Sequence, residues 1–248
     1  MCMKQSTKLF LDILMGAVIP ILILNNLTKP LGAPTAYVLA AMIPVGWVLI
    51  DLLLITRTFN FITSYSGLTA VLQGGLAFWF VDGFLFAVKD TAGLLVTILV
   101  FGGSLLIGRP ILTFFFRQVV NPNTPEHEAA LKRLFAEPDV PRAFLIGTLI
   151  IVLQNSIAAA INFILNMQIV VATFGTEAFN QQVAQVNTIT RIAFPLMAIV
   201  GFGLGLWLVY RAIYRHLPSE EGKSQFESEF WTLVELREHG ASGLPNSE

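Results

Sequence analysis

Residues 82–110 read DGFLFAVKDTAGLLVTILVFGGSLLIGRP. Positions 91–108 hold no charged side chain; Asp82, Lys89 and Asp90 stand before them, and Arg109 and Pro110 close them off. At about 1.5 Å per residue, a helix of that length matches a hydrocarbon core of roughly 30 Å. The stretch therefore predicts a membrane span over 91–108. Its flanks constrain the chemistry more than its interior does. A lysine at one end and an arginine at the other must each reach water, a lipid phosphate or a carboxylate, because an unpaired cation in hydrocarbon is costly.

The rest of the chain has the same character. Of its 248 residues 55% are hydrophobic and 12% charged, and the mean hydropathy is +0.71, whereas an average soluble domain carries about 25% charged residues. Apolar windows recur along almost the whole length, which predicts an all-α polytopic membrane bundle rather than a soluble domain with one anchor. A formal net charge of -1 argues against a nucleic-acid partner, since phosphate binding needs a basic footprint. The single cysteine, Cys2, cannot form an internal disulfide, and no cysteine or histidine cluster offers a metal cage. No metal or other cofactor is expected. The N-terminus, MCMKQSTKLFLDILMGAVIPILIL, has a basic start and an apolar run without a small-residue cleavage site, so it reads as a retained first helix.

Six spans are expected, at about 9–27, 35–55, 61–81, 91–108, 143–165 and 192–210. Pro20, Pro44 and Pro195 interrupt the first, second and sixth, with kinks expected at Pro20 and Pro195. The third is rich in small and polar residues, including Ser64, Gly67, Thr69 and Gln73, a face that belongs against other helices rather than lipid. Ser104 and Gly108, four apart, predict a close helix contact, and Gly201 and Gly205 form a GxxxG face. The region 143–174 exceeds one crossing, so its end is placed at the interface. Residues 176–191 read as a polar amphipathic segment that leads into the last span.

Thr124, Pro125 and Glu126 make a helix start. A short amphipathic loop helix is predicted at 125–136, with Ala130, Leu131, Leu134 and Phe135 on one side. The tail, 218–248, carries six glutamates between Glu220 and Glu238. Its apolar stripe, Phe226, Phe230, Trp231 and Val234, is expected to dock on the protein or remain disordered, because anionic lipid repels the glutamates. Six spans put both termini on one side. Of the 15 lysines and arginines, all but Lys29, Lys89 and Arg191 fall on that side, which places termini, loop helix and tail in the cytoplasm.

Polar groups inside or beside spans are the candidate functional residues. Asp51 stands near Arg57 and pairs with it structurally or serves a polar pathway. Lys89 faces a solute or headgroup, or snorkels to the interface beside Asp82 and Asp90. Arg109 is a cytoplasmic stop signal or a clamp for lipid phosphate. Gln73 lies near the middle of the third span. Asn155, Asn162 and Asn166, spaced by seven and four, share one helical face, which is either an interhelical hydrogen-bond ladder or the lining of a polar cavity.

Three stretches, DLLLITRTFN at 51–60, DGFLFAVKD at 82–90 and SLLIGRPIL at 104–112, resemble the intracellular septation protein A-like family of small bacterial inner-membrane proteins and its longer relatives. The resemblance covers roughly 9–117 with these motifs, and 142–215 by span spacing alone. It implies a location in the bacterial cytoplasmic membrane and a role around envelope synthesis or division, and no known reaction. The C-terminal spans and tail extend beyond the short members.

Catalysis finds little support. His127, His216 and His239 lie in a loop and the tail, and no G-x-S-x-G elbow, H-E-x-x-H motif or glycine-rich phosphate loop occurs. The leading expectation is a non-enzymatic scaffold or accessory protein in an envelope or septation assembly, partnered by the lipid bilayer, by other membrane proteins or by a second copy. The alternative is a small-solute or lipid transporter working as a dimer, with a pathway through Gln73, Asn155 and Asn162 and carbonyls freed by the prolines.

Overall fold

A computed structural model describes residues 11, 14–51, 53, 71, 72, 74–219, 225 and 228–242. Among them the regular elements are helical and no strand occurs. In chain order, a π-helical turn, Leu14–Val18, precedes α1 (Ile19–Asn26), α2 (Thr28–Leu31), α3 (Ala33–Ile50), α4 (Gly83–Leu106) and α5 (Ile111–Val120). Then follow α6 (Pro125–Phe135), α7 (Asp139–Ile169), α8 (Glu177–Tyr214) and α9 (Phe230–Ser242). Four of these, α3, α4, α7 and α8, are long and apolar enough to cross a membrane. Their apolar faces are largely uncovered. Only 17% of the apolar window of α8 is buried, and Leu99, Ile192 and Ile199 are 72%, 65% and 69% exposed. Water penalises so continuous an apolar surface and lipid does not, so these are the helices of a membrane protein.

Local chemistry sets the helix ends, and several differ from the sequence-based spans. Pro20 stands just after the point where a π-helical turn, Leu14–Val18, passes into α1. It occupies the first turn of α1, where its missing N–H removes no helical bond, and the wider π turn comes immediately before it. Gly32, at φ +80°, adopts a conformation that L side chains avoid and lets α3 start directly after α2. Helix α4 begins at Gly83, two turns ahead of the predicted 91, so Lys89 and Asp90 lie within the helix rather than at its edge. The interface segment expected after 165 is the last turn of α7, and the separate segment expected at 176–191 is the first part of the 38-residue α8, with Pro195 inside it. Hydropathy sees where charge begins. It does not see that a charge inside a helix has found a partner in the protein.

The chain forms two compact units, one from the described residues of Met1–Val100 and Gln154–Ala198, the other from those of Phe101–Leu153 and Ile199–Glu248. The first has a core of Ile23, Leu24, Ala36, Phe86, Val183 and Val186 among others. Tyr37, Phe86, Phe174 and Phe179 meet in it edge to face. Polar side chains fix its connections. The fully buried Asn180 donates to Thr28 Oγ1 and to the Ala33 carbonyl, both at 2.9 Å. Gln182 Oε1 accepts from the Val171 and Ala172 amides past the end of α7, which supplies acceptors to backbone donors outside the helix ladder.

In the second unit Phe116 is the hub, in contact with Phe135, Phe144, Tyr210 and Phe230. Ser104 and Gly108 do not form the expected helix contact. Gly108, at φ +68°, lies past the end of α4 with open space at its Cβ position, and Ser104 Oγ accepts from the Ile111 amide at 3.1 Å. The pair is a helix-terminating device. The close approach is between α7 and α8, where a Cβ on Gly147 would meet the Gly205 carbonyl oxygen at 2.8 Å. Thr124 caps α6 by accepting from the His127 amide at 3.1 Å. Helix α9 docks on α6: the Trp231 indole stacks on His127, with centroids 4.0 Å apart, and donates to the Val120 carbonyl at 2.7 Å.

Candidate functional site

The first unit contains a cavity of about 580 Å³, within the range of sites for metabolite-sized ligands. Helix periodicity explains its walls. In α4, Lys89, Asp90, Gly93 and Thr97 share one face; in α7, Asn155, Ala158 and Asn162 do; in α8, Asn187, Thr190, Arg191 and Phe194 do. Pro20, Pro44 and Pro195, from three different helices, line it as well. Pro44 and Pro195, inside α3 and α8, each leave the carbonyl four residues earlier without its helical donor, and for Pro195 that residue is Arg191 itself.

The charged groups are held in different ways. Lys89 is 5% exposed; its ammonium donates to the Trp79 carbonyl at 2.8 Å and lies over the Tyr37 and Phe86 rings, 4.8 and 5.1 Å from their centroids. A carbonyl dipole and two ring quadrupoles replace the water it has lost. Asp90 Oδ2 accepts from Asn162 Nδ2 at 3.1 Å and from Asn166 Nδ2 at 2.8 Å, and Asn162 also donates to Thr91 Oγ1. Asn155 donates to Gln154 Oε1 at 3.2 Å. Arg191 is different. It lines the cavity and stays accessible, and it makes no hydrogen bond or ion pair with a described residue. Nor does the Asn187 side chain, one turn earlier on the same face. The guanidinium and the Asn187 amide thus line the cavity without a hydrogen-bond partner among the described residues, beside one carboxylate and one ammonium.

The candidates read from sequence divide accordingly. Lys89, Asn155 and Asn162 come together at the cavity, and the asparagine face serves as ladder and lining at once: Asn162 and Asn166 bind the Asp90 carboxylate, while Asn155 and Asn162 border the space. The partners of Lys89 are inside the unit, the Trp79 carbonyl and the Tyr37 and Phe86 rings. Asp51 ends α3, its amide bonded to the Trp47 and Val48 carbonyls, and does not line the cavity. Arg57 and Gln73 lie outside the described residues, and with them the Asp51–Arg57 pair. Arg109 belongs to the second unit, exposed, its amide bonded to the Ser104 carbonyl at 2.9 Å. The sequence reading missed Asp90 as a receptor for the asparagines, and missed Arg191 and Asn187. Their signal was present, since Val183, Asn187, Thr190, Arg191 and Phe194 follow a helical spacing that carries the polar segment into the apolar one without a break.

Among the described residues no group of three or more histidine, cysteine or acidic side chains is placed to hold a metal ion. Polar donors around a cavity between apolar helices suit binding of a polar solute away from lipid. Comparisons with protein-family models, with curated proteins and with solved structures find no match for the chain.

Proposed function

We propose that the protein binds a small organic anion, bearing a carboxylate or phosphate, in the cavity of the first unit and carries it across the bilayer. One observation carries the reading: Arg191, on an apolar helix, lines the cavity near the Asp90 carboxylate with no hydrogen-bond acceptor among the described residues. Leaving a guanidinium unpaired in such a place costs stability, and a planar anion satisfies it in two-pronged fashion. Lys89 and Arg191 outweigh Asp90, so the lining carries an excess of positive charge. Asn187, Gln154 and Asn155 add neutral donors and acceptors that discriminate among anions. Pro44 and Pro195 give the walls local breaks in hydrogen bonding, the element that transport adds to binding.

The topology that goes with this reading is six crossings with both termini in the cytoplasm of a bacterial inner membrane, supported by the four membrane-length helices and by the uneven distribution of lysine and arginine. Purified protein tested against short carboxylates and sugar phosphates, by thermal shift and by uptake into proteoliposomes, decides the function. At least one anion is expected to raise Tm and to enter vesicles, and Arg191→Gln to remove both effects. A panel without any stabilising anion, or uptake that persists in Arg191→Gln, makes the proposal wrong.

A second reading, a scaffold or accessory subunit in an envelope or septation assembly, draws on the resemblance to septation protein A-like proteins and on the α6 and α9 pair, a docked surface of polar helices outside the apolar windows. Affinity purification in mild detergent tests it: protein partners at stoichiometric yield support it, and a monodisperse protein without partners counts against it.

A further inference from the structure

We infer that Arg142, Arg211 and Arg215 of the second unit form a binding site for the headgroup phosphate of an anionic phospholipid. The inference does not rest on the solute-binding reading. Arg142 stands in the first turn of α7, Arg211 in the last turn of α8, and Arg215 directly after it. All three are exposed and line one groove of about 280 Å³, with Ala143, Ile146, Leu208 and Ala212 as its apolar floor.

The contrast with other arginines of the same unit is informative. Arg117 pairs with Glu128, Arg133 with Glu238 and Arg237 with Glu137. The three groove arginines make no ion pair with a described residue; Arg211 lies over the Trp207 ring, 5.2 Å from its centroid. Asp139 is the one carboxylate among the described residues that line the groove. It is bonded to His216 at 2.6 Å and offsets at most one of the three cations. Among the described residues the groove therefore holds more cationic than anionic charge, Asp139 interacting with Arg215 as well as with His216.

What surrounds the arginines points to lipid rather than to a free anion. Down α7 from Arg142, at helical spacing, Ile146, Leu149 and Leu153 are exposed, and down α8 from Arg211 so are Trp207, Leu204 and Val200. Guanidinium groups at two helix ends above two exposed apolar stripes match a molecule with an anionic head and hydrocarbon chains. Soluble phosphate has no use for the stripes, and an acidic protein segment has no use for their depth.

The test uses full-length protein in mild detergent, titrated with phosphatidylglycerol or phosphatidylcholine and read by native mass spectrometry and Tm. Phosphatidylglycerol is expected to be retained preferentially and to raise Tm. Its affinity should fall about fivefold for each of Arg142, Arg211 and Arg215 changed to glutamine. Arg117→Gln, which removes the same charge away from the groove, should leave it unchanged. If one of the three variants does not fold, the other two give the same reading. Equal retention of phosphatidylcholine, a preference that survives the arginine changes, or equally tight binding of inorganic phosphate overturns the inference.

Discussion

The Asn166 side-chain amide donates to Asp90 Oδ2 at 2.8 Å, joining α7 to α4 across 76 positions of sequence. Asn162 donates to the same oxygen at 3.1 Å. Neutral side-chain hydrogen bonds between membrane helices average only about 0.6 kcal/mol, whereas bonds to a charged acceptor contribute about 1.5–3 kcal/mol. Asn166→Ala should therefore lower stability by roughly 1–2 kcal/mol, and by much less in an Asp90→Asn background. A double-mutant cycle in detergent measures the coupling; a value near zero means that the carboxylate is not what the asparagine stabilises.

Gly147 and Gly205 make a second, sharper prediction. A methyl group on Gly147 would lie 2.8 Å from a backbone oxygen and 2.9 Å from Leu112 Cδ1; the side chain can move, the carbonyl much less so. Gly147→Ala and Gly205→Ala should each cost about 1–3 kcal/mol. Gly102→Ala and Gly203→Ala, with nothing within 4 Å, should be neutral or slightly stabilising. Equal behaviour of all four variants in thermal unfolding contradicts the close approach of α7 and α8.

Thr124→Ala should cost about 1 kcal/mol through loss of the α6 cap. It should also move a titration. The exposed Glu126 carboxyl is held below the usual carboxylate range by its own backbone amide and by the Thr124 hydroxyl. A folded-state value below the unfolded one means that the contribution is present above the unfolded value and is lost as pH falls through the folded one. Carboxyl NMR titration of Glu126 should show its pKa rising in Thr124→Ala; an unchanged midpoint excludes the hydroxyl as a cause.

Trp231 fastens α9 through one hydrogen bond and one stacked ring. Trp231→Ala should free α9 and raise proteolytic cleavage within 230–242 at least severalfold, while Tm of the membrane helices changes little. Arg133→Gln, which breaks only the exposed pair with Glu238, should have a much smaller effect, since such pairs contribute about 0–1 kcal/mol. Equal protease sensitivity of both variants would assign the docking to charge instead of to the indole.

The places where sequence reading succeeded and failed have a common cause. Thr124 followed by Pro125 declares a helix start because the capping hydroxyl and the fixed proline φ act within one turn. The faces of Asn155, Asn162 and Asn166 were legible because 3.6-residue periodicity is local. Lys89 and Arg191 were read as span edges because a charge was taken to mark water, and their surroundings in the fold were not legible. In the fold, Lys89 meets the Trp79 carbonyl and two aromatic rings, and Arg191 meets a cavity. Those environments are assembled from segments far apart in the chain, and hydropathy over a window cannot contain them.

Composition and periodicity alone determined that the chain is helical and apolar enough for a membrane, since backbone hydrogen bonds in hydrocarbon must be closed within each segment. Tertiary structure decided what the polar residues are for. Only packing of α4 against α7 gave the Asp90 carboxylate its amide donors, and only the shared face of α8 left Arg191 open to the same cavity. A local pattern fixes which side of a helix a residue occupies. What stands opposite it is fixed by the other helices.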